Sequence, residues 1–539
     1  MSLFSLFDIA KSTIFASQAA LSVTSQNIAN VNTPGFSRKE ALFAVSSPVV
    51  IGGNLLGNGV TIAGIKRYYD KFIQTQLLGQ YQNYGKSYIL NQTLSQIEQV
   101  FNEAKNMGLA APLTDLFNAW QEVATNPEGF AERGVLLQKA NSLVLVAKQM
   151  ERGITETLNN TNEAIDNVVD RINTIASQIA LLNGKIVQVE TGANLETAND
   201  LRDQRDVLLN ELSTLVDFSS YEDENGSVTI MVGMRNLVDA GGTNTLSTVA
   251  NQEGDKDLYL DGINITENIT RGQLGGMISV RDEIENKSLH GLRKLIASVI
   301  KEMNIIHRGG YGLDGTTGND FFSPLQLSTQ DFSSGADMIA TITDSSQLTL
   351  DEYTIQFDGA SNYYVYNKQT GSLVTSGAYV SGNPISFEGI QVVITGVVTP
   401  NDKFTVSPLT DVIRNFKVAI TDQQKIAAAS SSATLPGDNS NALSIAQLSE
   451  GSIADLGNAT FSSYYKGLVS SIGLMSSAAS DSLKFDDNLL SELNNKRESI
   501  SGVSLDEEAA NLIRFQRSFE AGAKMIQVTD ELLQTLLNL

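Results

Sequence analysis

At 539 residues the chain is long enough for several domains, because single hydrophobic cores rarely grow beyond about 250–300 residues. Its net charge of −23 argues against nucleic acid and anionic membrane as partners. Hydrophobic residues make up 42% of it, and with no cysteine it has no disulfide, thiolate nucleophile or cysteine metal site.

The first residues, MSLFSLFDIAKSTIFAS, lack the basic start and long apolar core of a Sec-type signal peptide. No run of 18 apolar residues predicts a membrane-spanning helix, so export would need another route. Residues 3–31 read as one helix in which Phe7, Ile14, Leu21 and Ile28 recur every seven residues. Asn30, Asn32, Thr33, Pro34 and Gly35 stop it, because Pro34 disfavours helix at Thr33 and Gly35 supplies a turn. Residues 41–65 predict short extended segments and 68–105 a return to helix. Helix continues from about 112 to 215, with breaks at Asn126-Pro127 and near Thr191-Gly192. Within it Ile165, Val168, Val169, Ile172, Ile175, Ile179 and Leu182 share one face.

Strands follow. Val228, Ile230 and Val232 alternate after an Asn225-Gly226 turn, and Leu258 and Leu260 precede Asp261-Gly262. Residues 277–307 read as helix. Between 324 and 410 the period changes to two, in Tyr353, Ile355 and Phe357, in Ile390, Val392 and Ile394, and in Phe404 and Val406. This predicts an all-β module inserted between helical regions, followed by a linker or loop, AAASSSATLPGDNS. Helix resumes from Asn441 to the end with a break at Ser501-Gly502, and Leu505, Leu512, Phe519, Ile526 and Leu533 carry a second seven-residue stripe. Ser504 and Glu507 predict a capping box for the last helix. The two stripes can pair with each other only if the middle of the chain loops out, or else with neighbouring molecules.

The patterns that imitate a reactive site are weak. Gly310, Gly312 and Gly315 fit G-x-G-x-x-G, but a nucleotide site needs a strand before the motif and a helix after it, and here a helix precedes. The only histidines, His290 and His307, are too far apart in the chain to share a metal and read as structural. Asp203, Arg205 and Asp206 read as a solvated helix face laced with ion pairs. No catalytic residues, cofactor or metal are expected, and the chain is not expected to be an enzyme.

The segment Asn27-Ile28-Ala29-Asn30-Val31-Asn32-Thr33-Pro34-Gly35-Phe36-Ser37-Arg38 resembles the N-terminal motif of bacterial flagellar rod, hook and hook-associated proteins. Its matching positions are Asn27, Ala29, Asn30, Thr33, Pro34, Gly35 and Phe36. Residues 304–322 and 501–512 are similar to segments of the first hook-associated protein family, and 199–213 and 437–448 fit it as well. The resemblance implies a ring joining hook to filament, exported by the flagellar type III apparatus and made of copies of the chain. It implies the hook protein and hook-associated protein 3 as neighbours, an export chaperone on the C-terminal helix, and neither nucleic acid nor membrane.

The fold class expected is α+β with nested discontinuous domains. Residues 1–35 and 503–539 would form a terminal coiled-coil assembly domain. Residues 36–320 and 415–502 would form a helix-rich core with β-hairpins, and 324–410 an inserted all-β domain. The assembly interface expected is the two apolar stripes. The alternative is a secreted adhesin or glycan-binding protein with a helical stalk, for which Tyr363, Tyr364 and Tyr366 are the candidate aromatics.

Overall fold

The structure, a computed structural model, describes residues 3–51, 54–103, 108–191, 197–251, 254–332, 335–359, 361–400 and 402–537. Gly192, part of an expected break, and 104–105, the end of an expected helix, lie outside these. The chain divides into two compact units, one made of residues 1–89, 164–278 and 480–539, the other of 90–163 and 279–479.

The first unit opens with α1 (Leu3–Ala29), β1 (Lys39–Val45), β2 (Val49–Ile51), β3 (Asn54–Leu56), β4 (Val60–Arg67) and the start of α2 (Lys71–Val100). Strands β1 and β4 pair antiparallel, with a bulge between Leu42 and Phe43. The unit continues in the second half of α4 (Phe130–Glu190), in α5 (Asn199–Leu215), and in the hairpins β5 (Ser219–Glu222), β6 (Val228–Val232), β7 (Arg235–Asp239) and β8 (Gly242–Thr243). Strands β9 (Leu246–Ala250), β10 (Lys256–Leu260) and β11 (Ile263–Asn264) make a three-stranded sheet. Both expected hairpin turns are present, with Gly226 at φ +83 and Gly262 at φ +73. The face of α4 predicted to be apolar is buried from Ile165 to Leu182, with Val168 half-buried at its edge. The start of α6 (Gly272–Glu283), the end of α10 (Phe461–Ser501) and α11 (Leu505–Leu537) complete the unit.

The second unit holds α3 (Ala110–Thr125), the first half of α4 and α7 (His290–Gly309), which a π-helical stretch at Ile284–Leu289 joins to α6. Its β region comprises β12 (Ser328–Asp331), β13 (Ala336–Ile342), β14 (Tyr353–Phe357), β15 (Asn362–Asn367), β16 (Leu373–Ala378), β17 (Pro384–Phe387), β18 (Ile390–Gly396) and β19 (Lys403–Ser407). They form a five-stranded sheet in the order β12-β19-β14-β15-β16 and a three-stranded one, β13-β18-β17. The alternating residues are buried: Tyr353, Ile355 and Phe357, Ile390, Val392 and Ile394, Phe404 and Val406. The fold is α+β with a β region inserted between helical ones.

Helices α8 (Val412–Asn415) and α9 (Ser440–Gln447) follow the sheets. Of the expected linker or loop, the structure has a packed loop, for Ala427, Ala428 and Ala429 are buried and Ala429 O accepts from Tyr311 N at 2.8 Å. The expected continuous helix from Asn441 is interrupted between Gln447 and Phe461. Within that interval a short 3-10 turn, Ala454–Leu456, ends at Gly457 with a left-handed φ of +67, and Asn458 follows at +63.

An aromatic cluster centres the second unit. Trp120 meets Phe321 at 5.1 Å and His307 at 6.0 Å, and Phe322 meets Phe416 at 4.8 Å with the rings tilted. Arg133 is buried beside it, donating to Pro127 O, Gln423 O and Ile426 O, and burial lowers its pKa to about 10.

Candidate assembly site

The seven-residue stripes lie on two helices that pair with each other. Ile14 and Ala10 of α1 lie against Gly522 of α11, Ser17 Oγ donates to Ser518 Oγ at 3.1 Å, and Ala20 and Val23 pack near Phe515. The partner numbers fall along α11 as they rise along α1, so the pair is antiparallel. A Cβ on Gly522 would come within 2.9 Å of Ile14 Cγ1, which shows how close the two helices run.

What is buried on α1 is mostly small: Ala10, Ala16, Ser17, Ala20, Val23, Thr24 and Asn27. On α11, Glu508, Gly522 and Thr529 are buried. Ala10, Ser17 and Thr24 keep a spacing of seven, as do Gly522 and Thr529, but out of phase with the large apolar stripes. Of the expected interface residues, Phe7 and Leu505 are exposed, whereas Ile14, Leu21, Ile28, Leu512, Phe519, Ile526 and Leu533 are half-buried. The reading by large apolar residues missed the small ones; their own seven-residue spacing was the available signal. Small residues let the backbones approach, and the large ones flank the seam.

The motif that follows α1 ties it to its surroundings. Asn27 donates from Nδ2 to Lys39 O at 2.8 Å and accepts from Lys39 N at 3.1 Å, so its amide stands in for a strand partner at the start of β1. Thr33 Oγ1 donates to Asn30 Oδ1, while Ala29 ends the helix and Pro34 stands in the turn. Gly35 has φ +80, and a Cβ there would meet Val207 Cγ2 of α5 at 2.2 Å, so both conformation and space require glycine. Phe36 O accepts from Arg497 Nη2, and its ring faces Lys39 Nζ at 5.0 Å.

Charged groups surround this turn. Asp203 accepts from Ser37 N at 3.2 Å and pairs with Arg67 Nε at 2.7 Å; Arg67 also pairs with Asp206, and Lys39 with Asp200. Arg205 is buried and donates to Asn183 Oδ1, Gly226 O and Glu222 Oε1. Asp203, Arg205 and Asp206 are therefore not a solvated face. Their partners come from elements distant in sequence, which helical spacing cannot reveal. Burial pushes the Asp206 carboxyl above its ordinary range, against the pull of Arg67.

Half of the expected capping box forms. Glu507 N lies 3.5 Å from Ser504 Oγ, but the Glu507 carboxylate pairs with Arg38 Nη1 at 2.6 Å instead of turning back to its own helix start. Arg38 also stacks on Tyr68, 4.2 Å from the ring centre.

The remaining candidates are occupied by the fold itself. In the G-x-G-x-x-G segment Tyr311 N donates to Ala429 O, Gly312 N to Thr316 O and Leu313 N to Gln424 O, so these donors do not face a phosphate. His307 Nε2 accepts from Ala427 N at 2.9 Å, which requires Nδ1 to carry the proton it shares with Asn319 O at 2.7 Å. Burial lowers its pKa to about 4. His290 lies 3.7 Å from Glu352. Tyr363, Tyr364 and Tyr366 are half-buried on β15, the last two with rings 6.4 Å apart. Among the described residues no group of three His, Asp or Glu is placed to hold a metal, and no helix is long and apolar enough to cross a membrane.

The chain is 31% identical over 548 residues to flagellar hook-associated protein 1 of Escherichia coli K12, covering 99% of this chain and 100% of that one. The chain belongs to the flagellar hook-associated protein 1 family. The Bacillus subtilis member is 26% identical over 552 residues, covering 98% of this chain and 97% of its own length. Residues 94–322 match the helical domain of flagellar hook-associated protein FlgK, and 327–408 the D2-like domain of flagellar hook-associated protein 1. Residues 7–36 match the flagella basal body rod protein and 496–539 the FlgEFG rod protein C-terminal segment, so α1 with its motif and α11 are shared with the wider superfamily. The flagellar hook junction protein FlgK of Burkholderia pseudomallei has the same fold. Its TM-score is 0.69 at 19% identity, over 79% of this chain and 100% of that one.

Proposed function

We propose that the chain is a structural subunit of the bacterial flagellum that forms the junction between hook and filament. The observation that carries this reading is the antiparallel pair of α1 and α11, flanked by half-exposed large apolar residues, in a chain that spans the full length of hook-associated protein 1. A helix pair held by small residues leaves its larger apolar side chains for other molecules. Exposed apolar surface is a liability in a monomer and an asset in an assembly. Phe7, Leu21, Ile28, Leu505, Leu512, Phe519, Ile526 and Leu533 are the side chains we assign to contacts with neighbouring copies, while Ile14, which lies against Gly522, serves the helix pair itself. Residues 1–35 and 503–539 serve in this reading as the assembly domain, 36–320 with 415–502 as the core, and 324–410 as the inserted β domain.

The subunit acts by packing and not by catalysis. Its neighbours are copies of itself, the hook protein below and hook-associated protein 3 above. Before export through the type III apparatus a chaperone covers the C-terminal helix. The acidic net charge of −23 keeps unassembled molecules apart by mutual repulsion. The test is incorporation of Leu512→Asp and Phe519→Asp proteins into junctions of cells lacking the native chain. Both are expected to be exported and folded but to leave the junction incomplete, since burying an unpaired carboxylate costs several kcal/mol. Normal junctions built from Phe519→Asp protein would overturn the assignment.

A further inference from the structure

We propose that Met234, at the tip of the β6–β7 hairpin, docks in the groove beside Phe485 of a second copy of the chain. The inference rests on the junction reading and names a contact between copies that lies outside the terminal helices.

Met234 breaks two local rules at once. Val232 pairs with Arg235, so Gly233 and Met234 are the whole of the hairpin loop. Both have left-handed φ values, +54 and +65, the pattern of a type I′ turn. Such turns favour Asn, Asp and Gly, because a bulkier side chain crowds its own backbone there. Four non-glycine residues among the described ones have left-handed φ: Met234, Asp261, Glu388 and Asn458. Met234 is the apolar one, and it is 82% exposed. An asparagine at this position would relieve both the crowding and the exposure. A methionine kept there serves something outside the subunit.

Its surroundings hold Met234 out as a fixed point. A Cβ on Gly233 would lie 2.8 Å from Ile265 Cβ, so the loop is seated on the residue that follows β11. Arg235 Nη1 lies 3.6 Å from Asp261 Oδ2, which brings the β10–β11 tip alongside, with Ile263 also exposed. The double tip presents two apolar side chains with one cation and one anion beside them.

The same unit carries a groove of matching character. It has a volume of about 430 Å³ and lies between Asn83 and Lys86 of α2 and Asp481, Ser482 and Phe485 of α10. Phe485 is 66% exposed, so its own chain leaves it largely uncovered. The buried Asp486 carboxylate is already satisfied by Gln80 Nε2 and Ser87 Oγ, so the groove does not call for a cation. A methionine side chain adapts to an irregular groove, and its sulfur makes favourable contacts with an aromatic ring. The rims match in charge, with Lys86 available to Asp261 and Asp481 to Arg235. Tip and groove also lie at the same level of α2. Gln82 donates to Phe218 O just before β5, and Ser219 of β5 pairs with Met231, while Asn83 and Lys86 line the groove. Copies related by rotation into a closed ring meet through two different patches at one level, and this pair meets that condition.

The experiment uses the full-length chain in cells lacking the native one. Met234→Asn should keep the hairpin, since asparagine tolerates left-handed φ, and its melting temperature should match or exceed the parent's. Complete junctions should nevertheless fall on the order of tenfold, as for the loss of one buried apolar anchor. Met234→Cys with Ser482→Cys, in a chain that has no cysteine of its own, should give ladders of disulfide-linked copies when intact junctions are oxidised. Junctions as complete with Met234→Asn as with the parent, or a cysteine pair that links no copies within intact junctions, would overturn the contact and leave the junction reading in place. A fall in melting temperature alongside the loss of junctions would make Met234 a residue of the subunit's own fold and overturn the contact too. Failure of the parent chain to enter junctions would overturn the junction reading and this contact with it.

Discussion

Asparagine is a poor helix former, yet four buried or half-buried asparagines on helices do the same work in this chain. Asn27, Asn173, Asn183 and Asn304 each donate from Nδ2 to a backbone carbonyl and accept a backbone N–H at Oδ1, from Lys39, Leu246, Val228 and the Phe321–Phe322 pair respectively. Each amide ends a helix face where an extended segment arrives and satisfies polar groups that burial would otherwise orphan. Asn27→Ala should lower the stability of the first unit by roughly 2–3 kcal/mol, because two backbone groups lose a partner. A urea titration of the full chain followed by a probe on α1 would detect it, and an unmoved midpoint would refute it. His307 makes a pH prediction. Its pKa is about 4 folded against an ordinary 6.5, so the unfolded chain binds a proton that the folded chain refuses. The stabilisation is complete above pH 6.5 and is lost as pH falls toward 4, by about 3 kcal/mol. Calorimetry should show that slope, and His307→Gln should flatten it.

Helix periodicity revealed where the terminal helices lie but not which of their faces meet. A stripe of Phe, Leu and Ile is conspicuous, whereas Ala10, Ser17, Thr24, Gly522 and Thr529 carry the same period with side chains too small to attract notice. Their value is closeness, a property of two helices together. The carboxylates of α5 were misread for a related reason: spacing showed that Asp203 and Asp206 share a face, but Arg67, the cation that buries them, lies far away in sequence. The β region was legible because strict alternation and Gly-rich turns are local. The break after α9 was not, because single glycines such as Gly451 and Gly457 are tolerated within helical patterns. Gly522→Val should push the terminal helices apart at a cost of about 1–3 kcal/mol. Oxidative cross-linking of a Ser17→Cys, Ser518→Cys protein measures this. The cross-link should form readily in the parent, where the hydroxyls are 3.1 Å apart, and poorly in the valine variant. Equal cross-linking would show that the seam has slack.

At the scale of the molecule, the chain returns repeatedly to where it left. Ser328 pairs with Ser407 across β12 and β19, so the β region's entrance and exit are adjacent strands. Replacing 327–408 by a short Gly/Ser linker should therefore leave the helices and their export intact, because closing a short loop between adjacent ends costs little. Loss of the helical fold on excision would make the β region part of the core instead. Lys294 with Asp351, and Lys301 with Leu348 O, are among the ties that excision would cut. The nesting brings both chain ends into one helix pair, which suits a subunit whose ends meet its neighbours. An electron cryomicroscopy map of hook–filament junctions built from this chain, with a label inserted in the β region, tests that most directly. The expected result is a closed ring of labelled subunits between hook and filament, with the α1–α11 pairs packed against one another along the inner wall. Junctions without the label, or a ring whose α1–α11 pairs touch no neighbour, would contradict it.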